Sequence, residues 1–220
     1  MNTMTLLAAG TCAMIAASAA NAAVVVGWTM ATAVTATTGS SYSYGAADQG
    51  ALVSGSMLSG THSSISTAWS SPSGNGSTYA LSSNAWNVGD YYQISLATTG
   101  YSAVSVAWDQ TRSGSGPAGF EAVLSVDGGS TFSSLGSYTV NAVTWSASAP
   151  VTTSSFGSVA SAADNQASVI IRFKVVTAGT STTTGTNRID NIVVSGTAIP
   201  APGAIALLGV AGLVGARRRR

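Results

Sequence analysis

His62 is the only histidine in the chain and Cys12 the only cysteine, so imidazole and thiolate chemistry have one candidate each. Seven carboxylates accompany them. Serine is so abundant that the presence of Ser, His and acid carries no information, and no G-x-S-x-G elbow marks one serine as a nucleophile. His62 therefore reads as a loop residue rather than a general base. Asp109 and Glu121 fall on neighbouring expected strands, where two carboxylates facing one cleft would suit a glycosidase pair. Ion pairing with Arg112 is the commoner use of such acids, and no catalytic residue is assigned. A structural calcium ion, which needs several carboxylate and carbonyl oxygens, has a candidate set in Asp190 with Asp48 or Asp164. No D-x-D-x-D-G loop accompanies it, and no other cofactor is expected. Among the aromatics, Trp69, Trp86, Tyr91, Tyr92, Trp108 and Trp145 carry rings that could stack on the apolar face of a sugar or fill a core. Trp108 follows the apolar parity of its segment and is expected inside. Trp86 and Tyr91 are expected to be accessible and are the candidates for glycan contact.

The elements that must position these residues are strands. Ala23–Trp28 opens as a β-branched apolar run. Residues 37–50 form a loop or an edge, 51–58 a weak strand, and Ile65, Thr67 and Trp69 share one side of an alternating segment. Tyr92, Ile94 and Leu96 line one face of 91–98, and Val104, Val106 and Trp108 one face of 101–110. The Thr98-Thr99-Gly100 link between them has hairpin length, which predicts antiparallel pairing of these two strands. Phe120, Ala122, Leu124 and Val126 alternate in the next strand, and Val169, Ile171, Phe173 and Val175 in the strongest one, with Arg172 and Lys174 opposite. Arg188–Val194 closes the body. About ten short strands with turn-rich links and no useful helix predict an all-β, antiparallel β-sandwich.

Between two of these strands, Ser125-Val126-Asp127-Gly128-Gly129-Ser130-Thr131-Phe132 resembles the Asp-box hairpin, S-x-D-x-G-x-T-[W/F]. Its residues Ser125, Asp127, Gly129, Thr131 and Phe132 imply a structural turn: a carboxylate accepting turn N–H groups, glycine at positive φ, and an aromatic packed beneath. The motif occurs once, whereas a propeller would repeat it in each blade.

The two ends differ from the body. Met4 to Ala20 is small and apolar and leads into Ala20-Asn21-Ala22, an A-x-A cleavage pattern, so residues 1–22 read as an export signal with a helical apolar core. Cys12 lies within it, which leaves the exported body without cysteine. At the other end, Pro200-Ala201-Pro202 precedes a fourteen-residue apolar run, 203–216, and then Arg217, Arg218, Arg219 and Arg220. As a helix the run would extend about 21 Å at about 1.5 Å per residue, short of a hydrocarbon core of about 30 Å. The arginines stop translocation. This order resembles the PEP-CTERM sorting signal of bacterial surface proteins, with Ala201 where that family has glutamate. The resemblance implies recognition, and removal of the tail, by an exosortase-like membrane enzyme. The loop, strand and Asp-Gly-Gly hairpin of 112–140, with the Arg188-Ile189-Asp190-Asn191-Ile192 ending, resemble the β-sandwich bodies that accompany such tails and also resemble carbohydrate-binding jelly rolls.

Four of the eight basic residues are the terminal arginines, leaving four against seven acids in the body, a net of −3. Nothing in that balance suits a phosphate backbone, which excludes nucleic acid as an expected partner. The expectation is a signal segment (1–22), one jelly-roll-like sandwich (23–197) and a sorting tail (198–220) in an exported protein of the cell envelope, surface or extracellular matrix. The tail would anchor it to the membrane before any processing. Its role is expected to be structural or adhesive and not enzymatic. The alternative is a carbohydrate-binding module for polysaccharide acting by aromatic stacking.

Overall fold

A computed structural model of the chain describes residues 22–151 and 161–200. The expected signal helix and the apolar tail helix lie outside the described residues. Among those described, no helix is long and apolar enough to cross a membrane, and the one helical element is a single 3-10 turn, Ser161–Ala163.

Everything else regular is strand. In chain order these are β1 (Ala22–Trp28), β2 (Thr37–Thr38), β3 (Ser41–Gly45), β4 (Met57–Thr61), β5 (Ala68–Ser70) and β6 (Leu81–Ser83). They continue with β7 (Tyr91–Leu96), β8 (Tyr101–Arg112), β9 (Gly119–Ser125), β10 (Ser133–Thr139), β11 (Val169–Thr177) and β12 (Asn187–Ala198). They form two antiparallel sheets of six strands. One runs β10-β9-β11-β7-β4-β3; the other runs β1-β12-β6-β5-β2, with β8 along the far side of β12. Twelve residues make β12 long enough for 187–189 to pair with β6 and 192–197 with β1, while β8 pairs along most of its other edge.

The period-2 patterns decide which faces meet. Tyr92, Ile94 and Leu96 of β7 and Ile171, Phe173 and Val175 of β11 are buried, as are Val104, Val106 and Trp108 of β8. Residues of both sheets join one hydrophobic cluster. Each large side chain fully buried there contributes about 1.5–3 kcal/mol of transfer free energy. In β12 the inward parity changes from Asn187 and Ile189 to Ile192 and Val194. A bulge between Asp190 and Val193 makes the change, with Asn191 at φ +46°. Asparagine tolerates that left-handed conformation better than most residues.

Three expectations are corrected. First, β7 and β8 do not pair: Thr98-Thr99-Gly100 carries the chain from one sheet to the other. The turn finds its partners in the 161–166 segment, where Thr98 N–H donates to Gln166 O (2.8 Å), Thr98 Oγ1 to Ala163 O (2.6 Å) and Gly100 N–H to Asn165 Oδ1 (2.8 Å). Second, Ile65 is 80 % exposed, while Thr67 and Trp69 are buried. The strand covers only Ala68–Ser70, and Thr67 Oγ1 closes the preceding turn on Ser64 O. Third, the expected 51–58 strand begins only at Met57.

Candidate functional site

His62 follows β4 directly and is enclosed. Its ring lies against Trp69 and Trp86, with centroids 4.9 and 4.0 Å away. Trp69 in turn occupies the space over Gly60, where a Cβ would meet the indole at 2.3 Å. Ser83 Oγ, at the end of β6, stands 3.3 Å from His62 Nε2, and Asp90 Oδ2 stands 3.6 Å from Nδ1. Serine, imidazole and carboxylate are thus aligned as in a hydrolase triad. Ser83, His62 and Asp90 are 1, 4 and 4 % exposed, so no substrate carbonyl can reach the hydroxyl. Asp90 also accepts the Ser63 and Asn87 N–H groups, both at 2.7 Å. Thr67 Oγ1 lies 3.2 Å from Nδ1, and Tyr92 Oη lies 3.3 Å from Ser83 Oγ. The cluster is a satisfied polar network inside the core. Burial pushes the imidazole pKa down to about 4, against the opposing pull of Asp90, so His62 is neutral near pH 7. His62 lies between β4 and β5, in a loop as expected, and is nonetheless buried.

The proposed calcium set is not assembled. Asp190, on β12 beside Asp109 of β8, is fully buried and accepts from Asn75 N–H (2.8 Å), Ser77 Oγ (2.6 Å) and Asn191 N–H (2.7 Å). Burial raises its pKa to about 6, the three donors opposing. Asn75 Nδ2 and Asn191 Nδ2 both donate to Asp109 Oδ2. Asp48 instead holds Thr29, through its N–H and its hydroxyl, and Asp164 accepts from Val104 N–H. Each carboxylate is engaged by donors of a different segment, and no group of three potential metal ligands exists among the described residues. Asp109 and Glu121 lie on different sheets. Glu121 pairs with Lys174 across β9 and β11 at 3.1 Å, and its pKa is held below the ordinary carboxylate range by Ser134 and then Lys174.

Trp86 is wholly buried, which overturns its assignment as an accessible sugar contact. Its ring packs on His62, Tyr92 and Phe120, and its Nε1–H donates to Ser83 O at 2.9 Å. All five tryptophans are buried. Tyr91 is half-buried on the outer face of β7, but the Arg172 guanidinium lies over its ring at 4.3 Å and over that of Phe132 at 4.1 Å. Its face is thus taken by a cation–π contact.

The Ser125–Phe132 turn joins β9 and β10 as an antiparallel hairpin. Ser125 Oγ donates to Asp127 Oδ1 (2.7 Å) and accepts from Gly129 N–H (2.9 Å). Asp127 accepts from Thr131 N–H (3.0 Å) and from Thr131 Oγ1 (2.5 Å). Gly128 and Gly129 take φ +73° and +93°. The Thr131 hydroxyl and N–H hold the Asp127 carboxyl well below its usual range. Of the tail motif, Pro200 is the last described residue, and Ala201, Pro202 and Arg217–Arg220 lie outside the description.

One concave site opens on the outer face of the β12 sheet. Thr111 of β8 and Arg188 of β12 are register partners. The segment after β10 crosses them, tied down by Thr111 Oγ1, which donates to Val143 O at 2.7 Å and accepts from Val143 N–H at 3.1 Å. Trp145 is thereby brought onto the sheet, only 4 % exposed. The resulting cavity of about 280 Å³ is lined by Thr111, Arg112, Val143, Trp145 and Arg188 among others, and by no acid. Arg112 donates to the carbonyls of Val140, Ser113 and Gly114. The Arg188 guanidinium has no hydrogen-bond or ion-pair partner among the described residues, and burial draws its pKa below the ordinary arginine range. Trp145 Nε1–H is buried without an acceptor among the described residues. Arg188 alternating with buried neighbours on the closing strand is the one signal of this site in the sequence.

Compared with known families and with curated proteins, the chain matches no family model and no curated sequence.

Proposed function

We propose that the protein is an exported component of the bacterial cell surface or extracellular matrix, with a jelly-roll-like β-sandwich body and a structural or adhesive, non-enzymatic role. The order of segments supports this reading: an A-x-A-terminated apolar leader, a cysteine-free β body, a Pro-x-Pro element, a short apolar run and four arginines. The observation that carries it furthest in the fold is the pairing of Ala22 with Thr197. Ala22 and Thr197, which flank the proposed leader junction and the proposed tail, are neighbours on adjacent strands, an arrangement that suits processing at one end of the body. Stability without disulfides comes from the shared core.

Mass spectrometry of the protein recovered from its native host tests the reading. The expected species begins near Ala23, has lost Arg217–Arg220, and fractionates with the envelope or the matrix. Recovery of the intact chain, Met1 to Arg220, from the cytosol overturns it. Stacking of sugars on Trp86 is no part of the proposal, because that ring is inside the core.

A further inference from the structure

We propose that the cavity between Arg188, Arg112 and Trp145 binds the carboxylate of an acidic sugar, a ligand of the uronate class. The inference stands apart from the export reading and needs none of its processing steps.

Charge supplies the first argument. Arg188 brings a guanidinium to a concave wall that contains no acid, and it has no partner among the described residues. A half-buried cation loses hydration without recovering it from an ion pair. A planar carboxylate restores it by two parallel N–H···O bonds, the geometry in which guanidinium surpasses ammonium. Arg112 adds a second positive charge to the same wall, fixed in place by its carbonyl partners.

Size and lining supply the second. At about 280 Å³ the cavity is larger than an inorganic anion needs and sits at the small end of organic ligand sites, which begin at about 300 Å³. One monosaccharide unit fits that range. Threonine and serine groups and main-chain carbonyls suit a hydroxylated ligand, and Val143 and Trp145 offer apolar area to a ring.

Calorimetric titration of the full chain with sodium D-galacturonate, a galacturonate trimer, neutral D-galactose and sodium sulfate tests the assignment, with tryptophan fluorescence following Trp145. Saturable binding of the uronate and not of galactose is expected. Binding of the monomer shows that a free acid suffices, and binding of the trimer alone shows that the site reads a polymer. Arg188→Gln should weaken binding by at least about tenfold, the loss of one charge-assisted pair. Gly114 lines the cavity, and a Cβ there meets nothing within 4 Å. Gly114→Leu therefore fills the site without touching the sheet and should abolish binding even if Arg188→Gln folds poorly. The proposal is overturned by no saturable uronate binding up to about 10 mM, by equal binding of galactose or sulfate, or by unaltered affinity in a folded Arg188→Gln or Gly114→Leu protein.

Discussion

Two polar sites occupy opposite faces of the same patch of sheet. In the β6–β12–β8 register, Ser82, Arg188 and Thr111 form one row and Ser83, Asn187 and Arg112 the next, Arg112 being the last residue of β8 and also a lining residue of the outer cavity. On the inner face, Ser83 meets His62 and, through it, Asp90. On the outer face, Arg188 and Thr111 line an open cavity. The inner site has the groups of acyl-transfer chemistry and no access for a substrate. The outer site has access, hydroxyls and two cations, with neither imidazole nor acid to activate a nucleophile. Chemical identity alone therefore misleads here, and which side of a pleated strand a residue occupies decides its role.

The largest effect that could break this contrast is at Trp86. Trp86→Ala should cost about 3–5 kcal/mol in urea unfolding, the usual penalty for truncating a buried aromatic; a loss below about 1 kcal/mol would mean that the inner site is not sealed. Titration sharpens the contrast next. His62 has its folded pKa near 4, below the ordinary 6.5, so its contribution is present above pH 6.5 and is lost as pH falls towards 4. At about 1.4 kcal/mol per pH unit that amounts to about 3 kcal/mol. Asp190, raised from 3.8 to about 6, works in the other direction: its contribution is present below pH 3.8 and is lost as pH rises through 6. The wild-type stability profile between pH 4 and 6 should therefore be nearly flat, and His62→Gln should gain relative stability as pH falls through that window. A His62→Gln profile parallel to wild type would show that His62 is accessible to protons in the folded state. Ser83→Ala should cost about 1 kcal/mol and change nothing else, as for one buried hydroxyl in a network. Loss of an esterase activity in that variant would instead make the inner site a catalytic centre. The smallest effect is expected at Arg188. Because its guanidinium has no partner to lose among the described residues, Arg188→Gln should shift stability by no more than about 0.5 kcal/mol, and a larger loss would make it a structural residue.

Alternation was legible wherever a strand had one apolar face: Tyr92, Ile94 and Leu96, or Val104, Val106 and Trp108, could be placed from spacing alone. The Asp-box turn was legible as well, because its hydrogen bonds are made within eight residues. Pairing was not, since Thr98-Thr99-Gly100 has the length of a hairpin and its true partners, Ala163, Asn165 and Gln166, lie more than sixty residues away. Trp86 misled for a similar reason. It lies outside any strand, where no parity marks the buried side, and its neighbours His62 and Phe120 come from distant segments. The outer cavity depends on a chain segment crossing a sheet, and no local pattern encodes that crossing.

The length of β12 gives the two ends of this molecule a mechanical relation. Arg188 stands near its beginning and Ala198 at its end, about 33 Å apart at about 3.3 Å per residue. A load held between a ligand at Arg188 and a tether beyond Ala198 would run along the strand axis. The covalent backbone of β12 would carry it, so that the hydrogen-bond ladders to β8 and β1 need not part for the load to be held.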